Sequence, residues 1–536
     1  ALYDNGAMSK YATLTSISES PLAEGLLYTG SDDGLINVSE DGGQNWRKAG
    51  ALPQVPERSF INDIEASLHD ANTVFAAADA HKFGNFTPFL FMSTDRGKSW
   101  RSIVGDLPES TIVWVIKQDH VDPNLLFIGT EYGIYFSFNQ GTNWIKLDGG
   151  VPTIPFRDIE LHQRDQDLVG ASFGRGFYVL DDYTALRNLA EVVSQKENTL
   201  FAVRDAWWYI PNVPMQAKGM PSQGTTAFVT ENPPFGAVFT YYLDELPKSL
   251  KAQRQSAEQS LNEQKLDVPF PGWDRLLEES TDDAPQVLLL VRNEAGEPLR
   301  WLEGNASKGL HRTNWDLRLP PPNPINLVEP DFKPPWVGDP MGPLVAPGTY
   351  SAELFVYHNG GLESQGVPQE FEVKPVPSAT EGTDFEAVAA FQKKTSELYR
   401  QASAASKQMD EAKESLRYLK EALMNTSNAA PELFTRLDQL EAKLSDLRMR
   451  LTGNATRQSM KEATIPTIMS RVGYVKNGHW ETRQMPTATQ QQNVEIAEEE
   501  MSELSADLED YFDELARYEA TIEAAGAPWT PGRKMR

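Results

Sequence analysis

Cysteine is absent from all 536 residues. Its absence excludes disulfide frameworks, thiolate metal sites and cysteine nucleophiles, and leaves the compartment open. Positive charge is scarce. Forty-nine Lys and Arg stand against 76 Asp and Glu, a formal charge of −27. A protein built to hold nucleic acid needs a basic face over the phosphates, so that class is excluded. Long apolar runs are also lacking. The longest strongly apolar run, Val287 to Val291, falls far short of the roughly 20 residues a membrane span needs. The seven His residues are scattered, with no pair at metal-ligand spacing, so no metal site is expected. No His-Glu-x-x-His, Gly-x-Ser-x-Gly or phosphate-binding loop occurs, and Gly174-Arg-Gly is no nucleotide fingerprint, so no cofactor is expected. The opening Ala1–Gly6 shows no basic stretch leading into an apolar one. The expectation is a removed leader or a chain that begins part-way through a larger protein.

What the chain does hold is apolar bulk and repetition. Forty per cent hydrophobic residues and 12 Trp suffice for sizeable cores, and the length predicts roughly three domains. Residues 27–46, 89–100 and 126–144 repeat one pattern, and 168–182 keeps its two strands without the final Trp. The shared element is Ser-x-Asp-x-Gly-x-x-Trp. It occurs as Ser39, Asp41, Gly43, Trp46, as Ser93, Asp95, Gly97, Trp100, and with Asn as Ser137, Asn139, Gly141, Trp144. Asp or Asn bonds backbone amides beyond it, Gly supplies positive φ, and Trp offers a ring to bury between sheets. Spacings near 50 residues suit one four-stranded propeller blade per repeat.

These motifs resemble the Asp-box, or BNR, repeat of sialidases, sortilin-type (Vps10) propellers and related bacterial proteins. The resemblance implies a structural role for Asp41 and Asp95 on peripheral hairpins. Four blades fall short of the number such families close into a ring. Residues 1–190 are therefore read as the last part of a larger propeller, completed by an N-terminal segment or another chain.

The remainder divides in two after a connector over 191–225. Residues 226–376 carry six or seven strand-like runs between turns, predicting an Ig-like β-sandwich with Trp315 and Tyr350 in its core. It is interrupted by a polar, partly helical insertion at 244–280 and a proline-rich one at 319–347. The Gly309–Leu317 and Ala346–Tyr350 segments resemble Ig-like domains of the flagellar-hook-capping type. From 380 to 536, apolar residues recur at intervals of three and four in three series starting at Phe391, Leu433 and Ala497. They predict three long helices in an antiparallel bundle, with 453–490 as a less regular crossover.

Taken in order, these parts resemble the C-terminal half of large secreted bacterial proteins labelled "glycosyl hydrolase, BNR repeat" or sortilin-like. That implies a secreted, periplasmic or cell-surface location and a fold more than an activity. The leading expectation is a protein- or peptide-binding scaffold. The alternative is a glycoside hydrolase with its site in the propeller channel. Phe60-Ile-Asn-Asp-Ile-Glu and Phe156-Arg-Asp-Ile-Glu hold equivalent places, so Asp63 and Asp158 are the candidate catalytic carboxylates. Arg58, Arg157, His81, Lys82 and Arg175 are the candidate ligand-binding residues.

Overall fold

The computed structural model describes residues 12–211, 230, 232–328, 332–334, 337–377 and 382–533. It divides into two compact units, Ala1–Asn198 and Thr199–Arg536.

The first unit is a run of antiparallel meanders. β1 (Leu14–Glu19), β2 (Leu27–Ser31), β3 (Ile36–Ser39) and β4 (Arg47–Lys48) form the first sheet in chain order. β5 (Phe60–Ala66), β6 (Val74–Ala80), β7 (Asn85–Ser93) and β8 (Arg101–Ser102) form the second. β9 (Val113–Gln118), β10 (Leu126–Thr130), β11 (Gly133–Ser137) and β12 (Ile145–Lys146) form the third. The fourth has three strands, β13 (Phe156–His162), β14 (Asp167–Ser172) and β15 (Phe177–Leu180). We call each sheet a blade.

Neighbouring blades pack face to face because β-branched and aromatic residues alternate along their strands. Tyr28, Ile36 and Val38 of the first blade share a core with Ile61, Ile64 and Ala76 of the second. Phe75, Leu90 and Met92 of the second share one with Ile116, Leu126 and Ile128 of the third. Phe127, Ile134 and Phe136 of the third share one with Phe156, Ile159 and Leu168 of the fourth. The sequence left α1 (Ala185–Gln195) unread. Its Leu186 joins this last core, and its Arg187 clasps the fully buried Asp119 with two bonds of 2.8 and 2.9 Å. Tyr183 donates its hydroxyl to the same carboxylate at 2.7 Å. Burial works against the Asp119 charge, but Arg187 and Tyr183 outweigh it and hold the carboxyl below its usual range.

The second unit begins with β16 (Thr199–Leu200) and β17 (Ala206–Trp208), two short strands within the expected connector. Residues 212–225 of the expected connector lie outside the described residues. β18 (Ala237–Leu243) is followed by α2 (Leu250–Glu263) and α3 (Trp273–Thr281), which fill the insertion at 244–280. Arg254 joins them by grasping Glu279 at 2.9 Å. Then come β19 (Gln286–Asn293), β20 (Pro298–Gly304), β21 (Gly309–Trp315), β22 (Gly348–His358), β23 (Gly361–Ser364) and β24 (Gln369–Pro375). One sheet runs β16-β18-β21 and the other β17-β24-β22-β19-β20, with β23 beside β22. Both contribute to one core around Trp315, Phe239, Phe371 and Leu354. Trp315 and Tyr350 are buried there, ring centroids 5.4 Å apart. Residues 329–331, 335 and 336 of the proline-rich insertion lie outside the described residues.

The helical part holds α4 (Phe385–Met424), α5 (Pro431–Thr452), the short α6 (Ala455–Ser459), α7 (Ile468–His479) and α8 (Ala488–Ala524). Asp384 caps α4 by accepting the Ala387 amide, and Pro431 opens α5, where its missing N–H costs nothing. Met409, Leu416, Leu444, Leu504 and Tyr511 lie in the bundle core. The expected crossover at 453–490 instead contributes a helix, α7, started by a Thr467–Ser470 capping box. Its Ile468, Val472 and Val475 are buried in the same core. Among the described residues no helix is long and apolar enough to cross a membrane.

Candidate functional site

The first strand of each blade carries one repeated local geometry. A bulge falls at Leu14/Ser16, Ile61/Asp63, Val113/Val115 and Phe156/Asp158. The bulge re-aims successive side chains toward the neighbouring first strand. Thr15 Oγ1 donates to the Ile61 carbonyl at 2.6 Å, and Asn62 Nδ2 to the Val113 carbonyl at 2.7 Å. One residue on, Ser16 Oγ accepts the Ile64 amide at 2.9 Å, and Asp63 Oδ2 accepts the Ile116 amide at 3.0 Å. Ser16 also donates to Asp63 Oδ1 at 3.3 Å. Asp63 thus fastens three blades together.

Asp158 holds the same place on β13 and does not meet Asp63. It is exposed, and among the described residues its carboxylate accepts only the amide of Ile159, at 2.9 Å. The two candidate catalytic carboxylates therefore belong to non-adjacent blades and share no contact. A different acidic group forms around Asp63. Glu65 pairs with Lys117 at 3.0 Å, with Asp63 and Glu160 near enough to be felt. Burial pushes Glu65 up to about 7 although Lys117 pulls it down, and burial also raises Asp63. Burial opposes the charge of Lys117, but Glu65 and Asp63 outweigh it and hold the ammonium above its usual range.

The Ser-Asp-Gly turns lie at the opposite end of the blades from these bulges. Ser39 donates to Asp41 at 2.9 Å, the Gly43 amide to Ser39 at 2.8 Å, and the Asn45 amide to Asp41 at 2.8 Å. Ser93, Asp95, Gly97 and Ser99 repeat this, as do Ser137, Asn139, Gly141 and Asn143. Hydrogen bonds from Ser99 hold Asp95 down at about 2. Trp100 and Trp144 are buried, whereas Trp46 is exposed. These carboxylates are consumed in shaping turns.

The bulged end gathers the candidate ligand residues. Phe60 pairs in register with Asp79, which brings the start of β5 beside the turn at His81–Phe83. There Lys82 Nζ stands 4.8 Å from the Phe60 ring. Arg58 sits in the turn before β5 at φ 63°. The β2–β3 turn presses on this segment, since a Cβ at Gly34 would lie 2.9 Å from the Ser59 carbonyl. Asp79 is buried and accepts both the ring Nδ1–H and the backbone amide of His81. Its other oxygen, Oδ2, has no partner among the described residues. The carboxylate fixes the imidazole tautomer, so Nε2 is the nitrogen left for a ligand.

His81 lies edge-on to Trp114, centroids 5.8 Å apart. The indole donates Nε1–H to Glu131 at 3.0 Å. Arg157 stacks on the same indole, its guanidinium carbon 3.4 Å from the ring centroid and 5.4 Å from that of Phe173. Arg175 is exposed in the turn that follows Phe173. Contacts thus run unbroken from Phe60 to Phe173 across three blades. Among the described residues no acidic group pairs with Arg58, Lys82, Arg157 or Arg175, although the chain is strongly acidic. Sequence reasoning missed Asp79, Trp114, Glu131 and Phe173. Trp114 carried a signal, because it stands at the bulge position held elsewhere by Thr15, Asn62 and Arg157. Elsewhere in the unit, His162, Asp165 and Asp167 bring one ligand atom each within 4.8 Å of one another.

No protein-family profile and no curated protein matches the chain. Solved structures similar to it include one described as YCF48 bound to a D1 peptide, at 18% identity and TM-score 0.26, covering 32% of this chain and 53% of the other. A GH74 enzyme of Niastella koreensis is similar at 15% identity and TM-score 0.25, covering 44% and 29%. An ancestral GH74 enzyme follows at 13% and 0.26, covering 66% and 48%. This chain thus spans about half the length of the first and under a third of the second. Likenesses this distant bring no activity to this chain.

Proposed function

We propose that the protein is a binding module, and that the bulged end of its blades receives an acidic segment of a protein or peptide. One observation carries this reading: the Arg157 guanidinium stands over the Trp114 ring and, among the described residues, has no carboxylate partner. Stacking orders a guanidinium and leaves its N–H edge free to grip a carboxylate through two bonds. Lys82, Arg58 and Arg175 add positive charge at the same end, and His81 adds a ring oriented by Asp79. Exposed Phe173 supplies apolar contact beside them. The blades belong, in this reading, to a propeller completed by a preceding segment or another chain. The Asp-box resemblance supports a place outside the cytoplasm. Binding of the full chain to arrays of acidic, neutral and basic peptides tests the proposal. Acidic peptides are retained, and Arg157→Ala with Lys82→Ala releases them. Equal retention of all three classes overturns it.

A second reading is favoured by Glu65. A carboxyl near 7 beside another raised carboxyl, Asp63, matches the needs of general acid catalysis of glycoside cleavage. Turnover of fluorogenic glycosides, abolished by Glu65→Gln, supports it. Absence of turnover on a broad panel removes it.

A further inference from the structure

The helical part has a single histidine, and it is buried. His479 ends α7, is 1% exposed, and lies edge-on to Phe391 of α4 with ring centroids 5.0 Å apart. Its Nε2 donates to the Gln484 carbonyl at 2.9 Å, which leaves Nδ1 as the nitrogen without a proton. Gln392 of α4 is buried too, and its amide NH2 group faces this side of the ring. That group donates to the His479 carbonyl at 2.8 Å and to the Thr482 carbonyl at 3.3 Å, and it stands 3.5 Å from Nδ1. A proton arriving on Nδ1 therefore meets a donor. Turning the amide over offers Oε1 to the ring but sets it against two carbonyl oxygens. The two carbonyls thus commit Gln392 to the neutral ring, and an imidazolium finds no acceptor there.

We propose that His479 is an acid-sensitive latch, whose protonation releases the end of α7 and the segment after it from α4. The surrounding charges do not compensate a buried imidazolium. α4 presents the uncharged Gln392 and Phe391, and the first turn of α8 holds no acidic residue. Further along α8, Glu498 pairs with Lys394, and Glu500 lies 3.9 Å from Arg471. On α7 itself Lys476, one turn back, stands over the rings of Tyr399 and Trp480, and its ammonium repels a second positive charge. Glu481 and Arg483, beyond the helix, are exposed. Burial holds the His479 imidazole below its ordinary value of 6.5, although the Gln484 carbonyl supports a proton. A histidine depressed in this way stabilises the fold above 6.5, and that stability is lost as pH falls through the depressed value. The corner also starts short of hydrogen bonds, since Trp480 is buried with its Nε1–H lacking a partner among the described residues. It lies beside the sandwich: Glu481 acts on the buried Arg318, and Phe385 at the start of α4 meets Trp208 with ring centroids 4.8 Å apart. Opening the latch frees the bundle at that end.

The test is hydrogen exchange of the full chain, read by mass spectrometry at pH 7.5 and pH 5 with each time corrected for the intrinsic exchange rate. Residues 385–400 and 468–490 are expected to lose about tenfold in protection at the lower pH, while 431–452 keep theirs. His479→Leu cannot take the proton and removes that loss. Gln392→Glu offers the imidazolium a carboxylate and removes it as well, an outcome that a merely structural role for the pair would not give. Circular dichroism at pH 7.5 checks that each variant keeps its helix content, and if one does not, the other decides. Equal protection of the two segments at both pH values overturns the proposal. So does a loss that persists in the folded variants, or one that spreads evenly over 431–452.

Discussion

Arg157 of β13 covers the face of Trp114 of β9 at 3.4 Å, which couples the first strands of two adjacent blades where Asn62 uses a hydrogen bond instead. The pair makes a joint and leaves the guanidinium without an acidic partner among the described residues. Arg157→Lys keeps the charge but loses the planar stack and the forked donors. It is expected to weaken acidic-peptide binding about tenfold, and Arg157→Ala more, as titration calorimetry would show.

Asp63 is predicted to matter for stability. Asp63→Ala strands the Ile116 amide and the Ser16 hydroxyl at once, and the expected loss is about 1–3 kcal/mol in denaturant unfolding. Asp158→Ala removes no comparable bond and leaves monomer stability within about 0.5 kcal/mol. Equal losses for the two would contradict the joint described above.

Glu65 sets a pH dependence. Its folded value near 7 lies above the ordinary 4.5, so the folded state holds a proton that the unfolded state releases. The stabilising effect is complete below pH 4.5 and is lost as pH rises to about 7. Asp63, Lys117 and Glu160 are the charged groups around it. Glu65→Gln is expected to flatten the decline of melting temperature across that window; an unchanged slope contradicts the assignment.

Arg187→Ala leaves Asp119 charged and buried without its main partner, and the expected cost is about 3–5 kcal/mol. The Asp119 carboxyl is depressed, so the stability it supplies is present above its ordinary value and is lost on acidification below it. Thermal melts of Arg187→Ala against Arg187→Lys check both the size and the pH trend.

The repeat turns were legible because Ser, Asp and Gly do local work, within four residues of chain. The helices α4, α5 and α8 were legible because long apolar stripes have one solution. α7 was not, since two glycines and a short stripe of Ile468, Val472 and Val475 give too weak a period. The site was half legible. Arg58, His81, Lys82, Arg157 and Arg175 were named from their loops, and the structure gathers them at one end of the blades. Their aromatic floor was missed, because Trp114 reads as core until the neighbouring blade lays Arg157 upon it. The placing of Asp63 and Asp158 at equivalent positions was legible from the repeated motif, but their separation was not, since nothing in the sequence sets how the second and fourth blades stand to each other.

The most direct measurement of the central claim is salt-dependent binding of one acidic peptide and its amide-substituted twin to the full chain. The account predicts tight binding of the acid form, loss of affinity for the amide, a steep fall with added salt, and no acid preference in Arg157→Ala. Equal affinity for the two peptides, or an Arg157→Ala variant that still prefers the acid, would contradict it.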